Sequence, residues 1–183
     1  ANEHIIIPAK YTQSGRNSVT VDFVSGSGSL NRREGYVYTL FVPDRARTAF
    51  PCFEQPNLKA TYSLDLDIPQ GWKVVSNGLE TAKTTESGGY ERHSSRLDTP
   101  IPTYLFAFAA GDFQYASHEE NGRRIGAYYR ETDSLRIAQL PEIMRQVEFS
   151  LKWLEDYTAM PYPFPKYDIV ILPGFQFGGM EHV

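Results

Sequence analysis

The sequence predicts a mainly β protein that ends in a C-terminal α+β piece. Short segments with apolar residues at every second position, separated by Gly, Pro and Asn turns, run through the first 130 residues, and this period is typical of strands. Beyond residue 130 the apolar period changes to the 3.6 residues of a helix. We therefore predict a β-sandwich or β-saddle domain over residues 1–132, followed by the opening helix and strands of a second domain over residues 133–183.

The strand pattern occurs in five segments, which are residues 18–24, 36–42, 60–68, 72–76 and 104–110. The last of these is continuously apolar, which predicts a strand covered on both faces. Asn77-Gly78 predicts a turn, and Asn121-Gly122 lies between two further strand-like segments and predicts a β-hairpin. Many short strands with turns between them indicate antiparallel sheets.

A single amphipathic helix follows the strands. Asp133 and Ser134 are both candidate N-caps, and Pro141 belongs to a first turn or marks a kink, because an interior proline removes a backbone donor. Three prolines after residue 160 end the helix. We predict that its buried face carries Leu140, Ile143, Met144, Val147, Leu151 and Leu154, and that its polar positions are Glu142, Arg145, Glu148, Lys152 and Glu155.

Composition excludes several classes of function. The chain has 18 basic and 22 acidic residues and a net charge of −4, so no nucleic-acid partner is predicted, since such proteins carry basic patches. No apolar run approaches the roughly 20 residues of a membrane-spanning helix, and a single cysteine excludes an intramolecular disulfide. We expect a soluble protein, and its compartment stays open between the cytoplasm and a periplasmic or secreted location.

Neither a metal site nor a catalytic nucleophile is predicted within the chain. No two of the histidines stand four residues apart on a helix, and the zinc motif H-E-x-x-H is absent. The G-x-S-x-G nucleophile motif is also absent. Cys52 lies in the apolar sequence Phe-Pro-Cys-Phe, which indicates a structural cysteine. Charged residues on either side of it are expected to form exposed ion pairs that contribute little stability.

The sequence Gly178-Gly179-Met180-Glu181-His182, called the GGMEH segment below, is the strongest candidate site. It follows a β-rich run over residues 167–173. One interpretation is a glycine bulge in an edge strand, with Glu181 as a charge that prevents further pairing. The other is a strand whose open edge accepts a peptide as an added strand, while Glu181 pairs with the charged α-amine of that peptide. The residues alone leave both open.

Five segments carry a family resemblance. Residues 47–60 read RTAFPCFEQPNLKA, residues 75–78 read VSNG, residues 103–113 read TYLFAFAAGDF, and residues 161–168 read PYPFPKYD. In this order, and with the GGMEH segment in the place of a G-x-M-E-N motif, they resemble the zinc aminopeptidases of the aminopeptidase N family. That family includes leukotriene hydrolase and belongs to the gluzincin metallopeptidases.

The resemblance implies a β-rich amino-terminal domain followed by a thermolysin-like catalytic domain. In the full-length parent, zinc bound by H-E-x-x-H and a later Glu would activate water to release N-terminal residues from peptides. The resemblance assigns Gly178, Gly179 and Met180 to the strand that faces the peptide substrate, and Glu181 to its α-amine. It assigns no catalytic residue and no zinc ligand to this chain. We therefore expect an amino-terminal fragment that binds no zinc and is inactive alone.

Two departures from the family pattern bear on the amine site. His182 replaces the Asn of the motif, and Leu40 and Val42 stand where many members carry Gln or Glu as a second amine ligand. An aliphatic side chain cannot bind an ammonium group, so amine binding rests on Glu181, with His182 as the neighbour that could compensate. A second hypothesis is a non-catalytic family member that acts as a scaffold or partner-binding protein. We also expect self-association through the exposed edge of the truncated sheet.

Overall fold

The computed structural model of the chain describes residues 4–183 and confirms the mainly β fold with a C-terminal α+β piece. Its helices are α1 (Ser134–Ile137) and α2 (Leu140–Thr158). Its strands are β1 (Leu30–Arg33), β2 (Tyr36–Thr39), β3 (Ala60–Pro69), β4 (Lys73–Ser76), β5 (Leu79–Glu86), β6 (Tyr90–Ile101), β7 (Phe108–Gly111), β8 (Gln114–Glu120), β9 (Arg123–Tyr129) and β10 (Tyr167–Ile171).

The strands form three small sheets. Sheet A has the order β1-β2-β7-β4 and sheet B has the order β3-β6-β5, and all their pairs are antiparallel. Sheet C has the order β10-β9-β8, in which β8 and β9 form a hairpin and β10 joins β9 in parallel. Sheet C takes strands from both sides of the predicted domain boundary at residues 132 and 133. That boundary stays a prediction, and the two parts of the chain share a sheet.

The chain crosses from sheet A to sheet B at Asn77-Gly78, which joins β4 to β5. The predicted turn therefore links two sheets and is not the loop of a hairpin. Glycine is required at position 78 because a Cβ there would lie 2.3 Å from the main-chain carbonyl of Arg96 on β6. Asn77 is buried, with 4% of its surface exposed. Its side chain reaches the connection between β6 and β7, where the chain returns to sheet A.

The strand predicted over residues 104–110 is shorter than its apolar pattern suggested. Thr103–Leu105 form a 3-10 turn, and β7 begins only at Phe108. Between them, the Asn77 side chain accepts a hydrogen bond from the Ala107 N–H at 2.6 Å and donates one to the Leu105 carbonyl at 2.9 Å. Main-chain groups that bond to a side chain are not available to a neighbouring strand. The apolar residues in this segment show that it is buried, and they do not show how long the strand is.

The strand predicted over residues 18–24 is not formed. This segment has no regular secondary structure, and Val19 and Phe23 are 58% and 52% exposed. Alternation of apolar and polar residues leads to a strand only where a neighbouring strand accepts the hydrogen bonds. Among the described residues sheet A begins at β1, and no strand pairs with residues 18–24.

The predicted hairpin and helix are both confirmed. Asn121 and Gly122 have φ values of 54° and 76°, as a type I′ turn between β8 and β9 requires. Asp133 caps α1 because its carboxylate accepts a hydrogen bond from the Leu135 N–H at 2.9 Å, and Pro141 lies in the first turn of α2. Neither helix combines the length and the apolar character that a membrane crossing would require.

The buried face of α2 is rotated from the predicted one. Ile143 and Leu154, which we expected in the core, are 38% and 48% exposed. Glu148, expected at a polar position, is 5% exposed and accepts a hydrogen bond from Asn121 Nδ2 at 3.3 Å. The hairpin turn thus supplies the partner that a buried carboxylate needs. The predicted positions that do lie buried against sheet C are Leu140, Met144 and Leu151.

Buried aromatic side chains join the sheets to one another. The loop after β2 packs on sheet B through Phe41, which stacks on Phe106 with 6.2 Å between ring centroids. Sheet A packs on sheet C through Tyr38, whose cluster includes Val170 of β10. Tyr36 adds a hydrogen bond from its hydroxyl to the main-chain carbonyl that follows β10, at residue 173. Sheets A and C are therefore held together by both apolar packing and a hydrogen bond.

Gly126 on β9 faces Asp168 on β10 in the parallel register. A Cβ at position 126 would lie 2.2 Å from Asp168 Oδ1, so only glycine leaves room for this carboxylate. The other oxygen of Asp168 accepts a hydrogen bond from the ammonium group of Lys166. The side chains of this pair are only 14% and 9% exposed, and the space at Gly126 therefore allows a nearly buried ion pair beside the strand.

We predict that Gly126→Ala lowers the free energy of unfolding by about 1–3 kcal/mol, the usual cost of overpacking. The added methyl group would displace the Asp168 carboxylate from Lys166. Urea denaturation followed by circular dichroism measures the effect. Gly179→Ala is the control, because a Cβ at that position meets nothing within 4 Å. Equal destabilisation by both substitutions would contradict the prediction.

Candidate functional site

A cleft of about 620 Å³ lies between sheet A and the last part of the chain. Its lining comes from β2, β4 and β7, from β10, and from residues 174–183. The whole GGMEH segment takes part in this lining. The fold therefore brings the predicted site residues together with one side of sheet A, which the sequence did not predict.

Aromatic side chains provide much of the cleft surface. Tyr38 of β2 packs edge-on against Phe175, with ring centroids 5.8 Å apart, and Phe175 packs against Phe177 at 5.9 Å. Tyr162, just before β10, also lines the cleft. Phe177 is 58% exposed. A concave apolar wall of this kind can cover the apolar part of a ligand.

The charged groups of the cleft leave one carboxylate without a partner. Lys166 and Asp168 both line the cleft and neutralise each other in their ion pair. Glu181 is exposed, and no ion pair joins it to another described residue. His182 is the remaining imidazole, and burial lowers its pKa below the ordinary value of 6.5. Among the charged side chains of the described lining, Glu181 is therefore the one without an oppositely charged partner, and it is acidic.

The GGMEH segment is irregular and does not form the strand that the sequence predicts. β10, which precedes it, is confirmed, but residues 172–183 contain no strand. A strand requires a neighbour, and residues 178–182 make no main-chain to main-chain hydrogen bond with any other described residue. A Cβ on Gly178 or Gly179 would meet nothing within 4 Å. The main chain of the segment is thus open on the glycine side.

Glu181 and His182 differ sharply in their surroundings. The Glu181 side chain is exposed, whereas the Nε2 atom of His182 is buried and has no hydrogen-bond partner among the described residues. Burial lowers the pKa of His182, and the neighbouring Glu181 carboxylate partly opposes this. The folded chain favours the neutral imidazole, so its protonation as the pH falls below 6.5 weakens the packing of this residue.

Val183 attaches the end of the GGMEH segment to the fold. Its side chain packs against the cluster that contains Phe41, and its main-chain oxygen accepts a hydrogen bond from Asn77 Nδ2. Sequence reasoning treats Asn77 as a turn residue and misses this contact. One signal could have indicated a further role for Asn77, which is its place in the family-like segment VSNG. A turn alone does not require a buried carboxamide at this position.

The residues at the expected second amine site do not reach the cleft. Leu40 and Val42 are absent from its lining, although their neighbour Thr39 contributes to it. Leu40 is half-buried and packs against the aromatic cluster around Tyr38. Leu40 therefore serves packing, and among the described residues no Gln or Glu from β2 lines the cleft.

Residues 47–60 form a compact loop outside the cleft. Glu54 accepts hydrogen bonds from the Arg47 N–H at 3.0 Å and from its guanidinium at 2.6 Å. The Glu54 side chain is only 15% exposed, so this pair is less exposed than the surface ion pairs that the sequence predicted. Cys52 packs against the Phe41 cluster, and burial raises the pKa of its thiol to about 11. An inert thiol agrees with a structural role.

In residues 4–183, no group of three or more His, Cys, Asp or Glu side chains is placed to hold a metal ion. The residues described here therefore do not fit a zinc site. No chemical step is assigned to a metal in this part of the chain.

Comparison with known proteins identifies the family. Residues 4–105 match the Peptidase M1 N-terminal domain, and residues 143–183 match the Peptidase family M1 domain. The chain is 33% identical over 153 residues to endoplasmic reticulum aminopeptidase 1 of Rattus norvegicus, which covers 79% of this chain and 15% of that protein.

Two other relatives show the same extent of similarity. The chain is 31% identical over 150 residues to aminopeptidase N of Plutella xylostella and 31% identical over 140 residues to glutamyl aminopeptidase of Rattus norvegicus. Each alignment covers 76% of this chain and 15% of the relative, so the chain spans about 15% of the length of the curated relatives it matches. The resemblance of the five segments is confirmed, and the chain belongs to the M1 family of metallopeptidases.

Proposed function

We propose that this chain carries the part of an M1 aminopeptidase that recognises the N-terminus of a peptide substrate. In this proposal Glu181 binds the α-amine, and Gly178, Gly179 and Met180 align the peptide main chain. The observation that carries it is the unpaired Glu181 side chain at an aromatic cleft, next to main chain that makes no main-chain hydrogen bond to another described residue.

The charge of the cleft supports a cationic ligand group. Because Lys166 is paired with Asp168, the lining offers no free cation to a ligand carboxylate. The Glu181 carboxylate attracts an ammonium group by charge and can accept hydrogen bonds from its N–H donors. The α-amine of a peptide carries such a charge at neutral pH, and an N-acetylated peptide does not.

The main chain of the GGMEH segment supports binding of an extended peptide. Its N–H and C=O groups have no main-chain partner among the described residues, and such groups bind an added strand readily. The open space beside Gly178 and Gly179 lets another backbone approach without meeting a side chain. Main-chain hydrogen bonds would then set the register of the peptide, while Glu181 would select its free end.

The resemblance implies that the full-length parent is a zinc enzyme. Bound zinc would supply the activated water for hydrolysis, and no residue described here is assigned to hold it. The contribution of this chain is binding and orientation. The aromatic residues around Tyr38 and Phe175 would exclude water from the first peptide residue, which strengthens the pairing of the amine with Glu181.

We predict that phenylalaninamide binds this chain weakly and that Glu181→Gln reduces its affinity about two- to fivefold, the range expected for an exposed ion pair. NMR titration of the GGMEH resonances measures the affinity. N-Acetylphenylalaninamide, which has no ammonium group, should bind the wild-type chain and Glu181→Gln equally weakly.

The matched control for this substitution is Glu119→Gln. Glu119 is an exposed carboxylate on β8 outside the cleft, so its loss changes the net charge equally and should leave the affinity for phenylalaninamide unchanged. Equal effects of the two substitutions would argue against Glu181 as the amine anchor.

We also propose that the chain alone does not hydrolyse peptides. An assay with an aminoacyl anilide and added zinc should show no turnover above a blank without protein, because no described residues are placed to hold the metal. The wild-type chain and Glu181→Gln should be indistinguishable in this assay. Turnover that depends on added zinc and survives repeated purification would overturn this proposal.

We further propose that the chain associates with a second copy, either through the free edge of β10 or through the exposed apolar side chains of α2. β10 pairs on one edge only within the described residues. Phe149, Trp153 and Tyr157 of α2 are 65%, 54% and 76% exposed, and the last two rings are stacked at 5.1 Å. Exposed patches of this kind favour association.

Light scattering after gel filtration should show a mass that rises with protein concentration. Trp153→Glu should lower this mass, whereas Gln70→Glu, at an exposed position in the turn after β3, adds the same charge and should leave it unchanged. A mass that stays raised in Trp153→Glu would assign the contact to the edge of β10 instead. A monomer at all concentrations would contradict self-association.

A further inference from the structure

The Asn77 side chain is the described hydrogen-bonding link between the GGMEH region and the rest of the fold. Its Nδ2 donates to the main-chain oxygen of Val183, and no other hydrogen bond from residues 178–183 to a described residue occurs. The remaining attachment is apolar packing, of Val183 against the Phe41 cluster. Apolar packing does not fix the orientation of a segment, whereas a hydrogen bond has a preferred distance and angle. This one hydrogen bond therefore fixes the orientation of the end of the segment.

Both N–H donors and the carbonyl oxygen of Asn77 have hydrogen-bond partners. A carboxamide has two N–H donors and one carbonyl acceptor group. The donors go to the Leu105 carbonyl at 2.9 Å and to Val183, and the acceptor takes the Ala107 N–H at 2.6 Å. The side chain is 4% exposed, so each lost partner would leave a buried polar group unsatisfied. The bond to Val183 is therefore costly to break.

The position of Asn77 connects this bond to the cleft. Asn77 follows β4, and it lines the cleft together with Val75 and Ser76. The rigid crossing between sheets A and B fixes its carboxamide, since Gly78 packs directly on the β6 main chain. Because Asn77 is held in this way and bonds to Val183, it ties the position of the segment that carries Glu181 to the position of sheet A.

We propose that Asn77 is a positioning residue that sets the location of the GGMEH segment relative to sheet A. This inference rests on the proposed function only for its effect on ligand binding, because the position of the segment can be measured without any ligand. Asn77 does not touch the peptide in this proposal. It acts through Val183, and it determines how far Glu181 stands from the aromatic wall of the cleft.

Asn77→Asp tests the proposal. Aspartate keeps an acceptor for the Ala107 N–H and removes the amide donors that reach Leu105 and Val183. We expect the segment to leave the cleft, so that the pKa of His182 rises towards 6.5 as its imidazole becomes hydrated. The neutral variant Asn77→Ser should give the same rise, because a new carboxylate at position 77 could raise this pKa by its charge alone. NMR titration of the imidazole resonances measures this shift, and the resonances of His93 and His118 should be unchanged.

Thr39→Val is the matched control. Thr39 is also buried and lines the same cleft, and its hydroxyl bonds to the N–H and carbonyl of Phe108 at 2.9 and 3.3 Å. It makes no contact with the GGMEH segment among these bonds. Thr39→Val should therefore lower stability without moving the His182 titration, which separates positioning from a general loss of structure.

The outcomes distinguish this inference from the proposed function. A His182 titration that stays unchanged in Asn77→Asp, or that moves equally in Thr39→Val, overturns the positioning role. Where His182 shifts as expected, the affinity for phenylalaninamide should fall by about the same factor as in Glu181→Gln. If His182 shifts and the wild-type chain does not distinguish the amine from its acetylated form, positioning stands and the amine-binding proposal fails.

If Asn77→Asp does not fold, Asn77→Ser replaces it. Serine removes the carboxamide that reaches Val183, Leu105 and Ala107, and it adds no charge. Amide hydrogen exchange of residues 178–183, compared with that of sheet A, then provides the measurement. Faster exchange confined to residues 178–183 supports the proposal, and equal exchange in Asn77→Ser and the wild-type chain overturns it.

Discussion

A single buried carboxamide holds together two of the connections between sheets A and B. Asn77 lies in the connection from β4 to β5 and bonds to Leu105 and Ala107 in the connection from β6 to β7, so neither connection can move alone. Its bond to Val183 extends the same constraint to the end of the chain. Because each of these bonds is buried, the alternative to making them is an unsatisfied polar group. This one side chain therefore links the two connections and the end of the chain by hydrogen bonds, in addition to the aromatic packing that joins the sheets.

Sheet C depends on a second constraint of the same kind. The parallel pairing of β9 and β10 brings Asp168 against Gly126 and next to Lys166. This pair has two consequences. It fixes the strand that lines the cleft, and it removes two opposite charges from the electrostatics of the cleft. The exposed Glu181 side chain then remains without an oppositely charged partner in the lining, and this observation supports the amine-binding proposal independently of the motif.

The elements that the sequence predicted well are those decided by neighbouring residues. Asn121-Gly122 forms its hairpin because both residues accept a positive φ, and Asp133 caps the helix through an N–H two residues away. The predictions that were wrong depended on distant partners. Residues 18–24 alternate without a neighbouring strand, and Glu148 is buried because the β8–β9 turn happens to offer it a donor. The periodicity of apolar residues indicates which side chains favour burial. It does not indicate which distant strand or helix will cover them.

The sequence by itself determined the order of β and α elements, the family to which the chain belongs and the GGMEH segment as the candidate site. These rest on local patterns and short motifs. Only the tertiary structure decided that Asn77 is more than a turn residue, that Lys166 and Asp168 cancel each other, and that aromatic side chains face Glu181 across a cleft. The physical reason is that such contacts join residues as far apart as 77 and 183, and no local pattern specifies which distant groups will satisfy a buried hydrogen bond or charge.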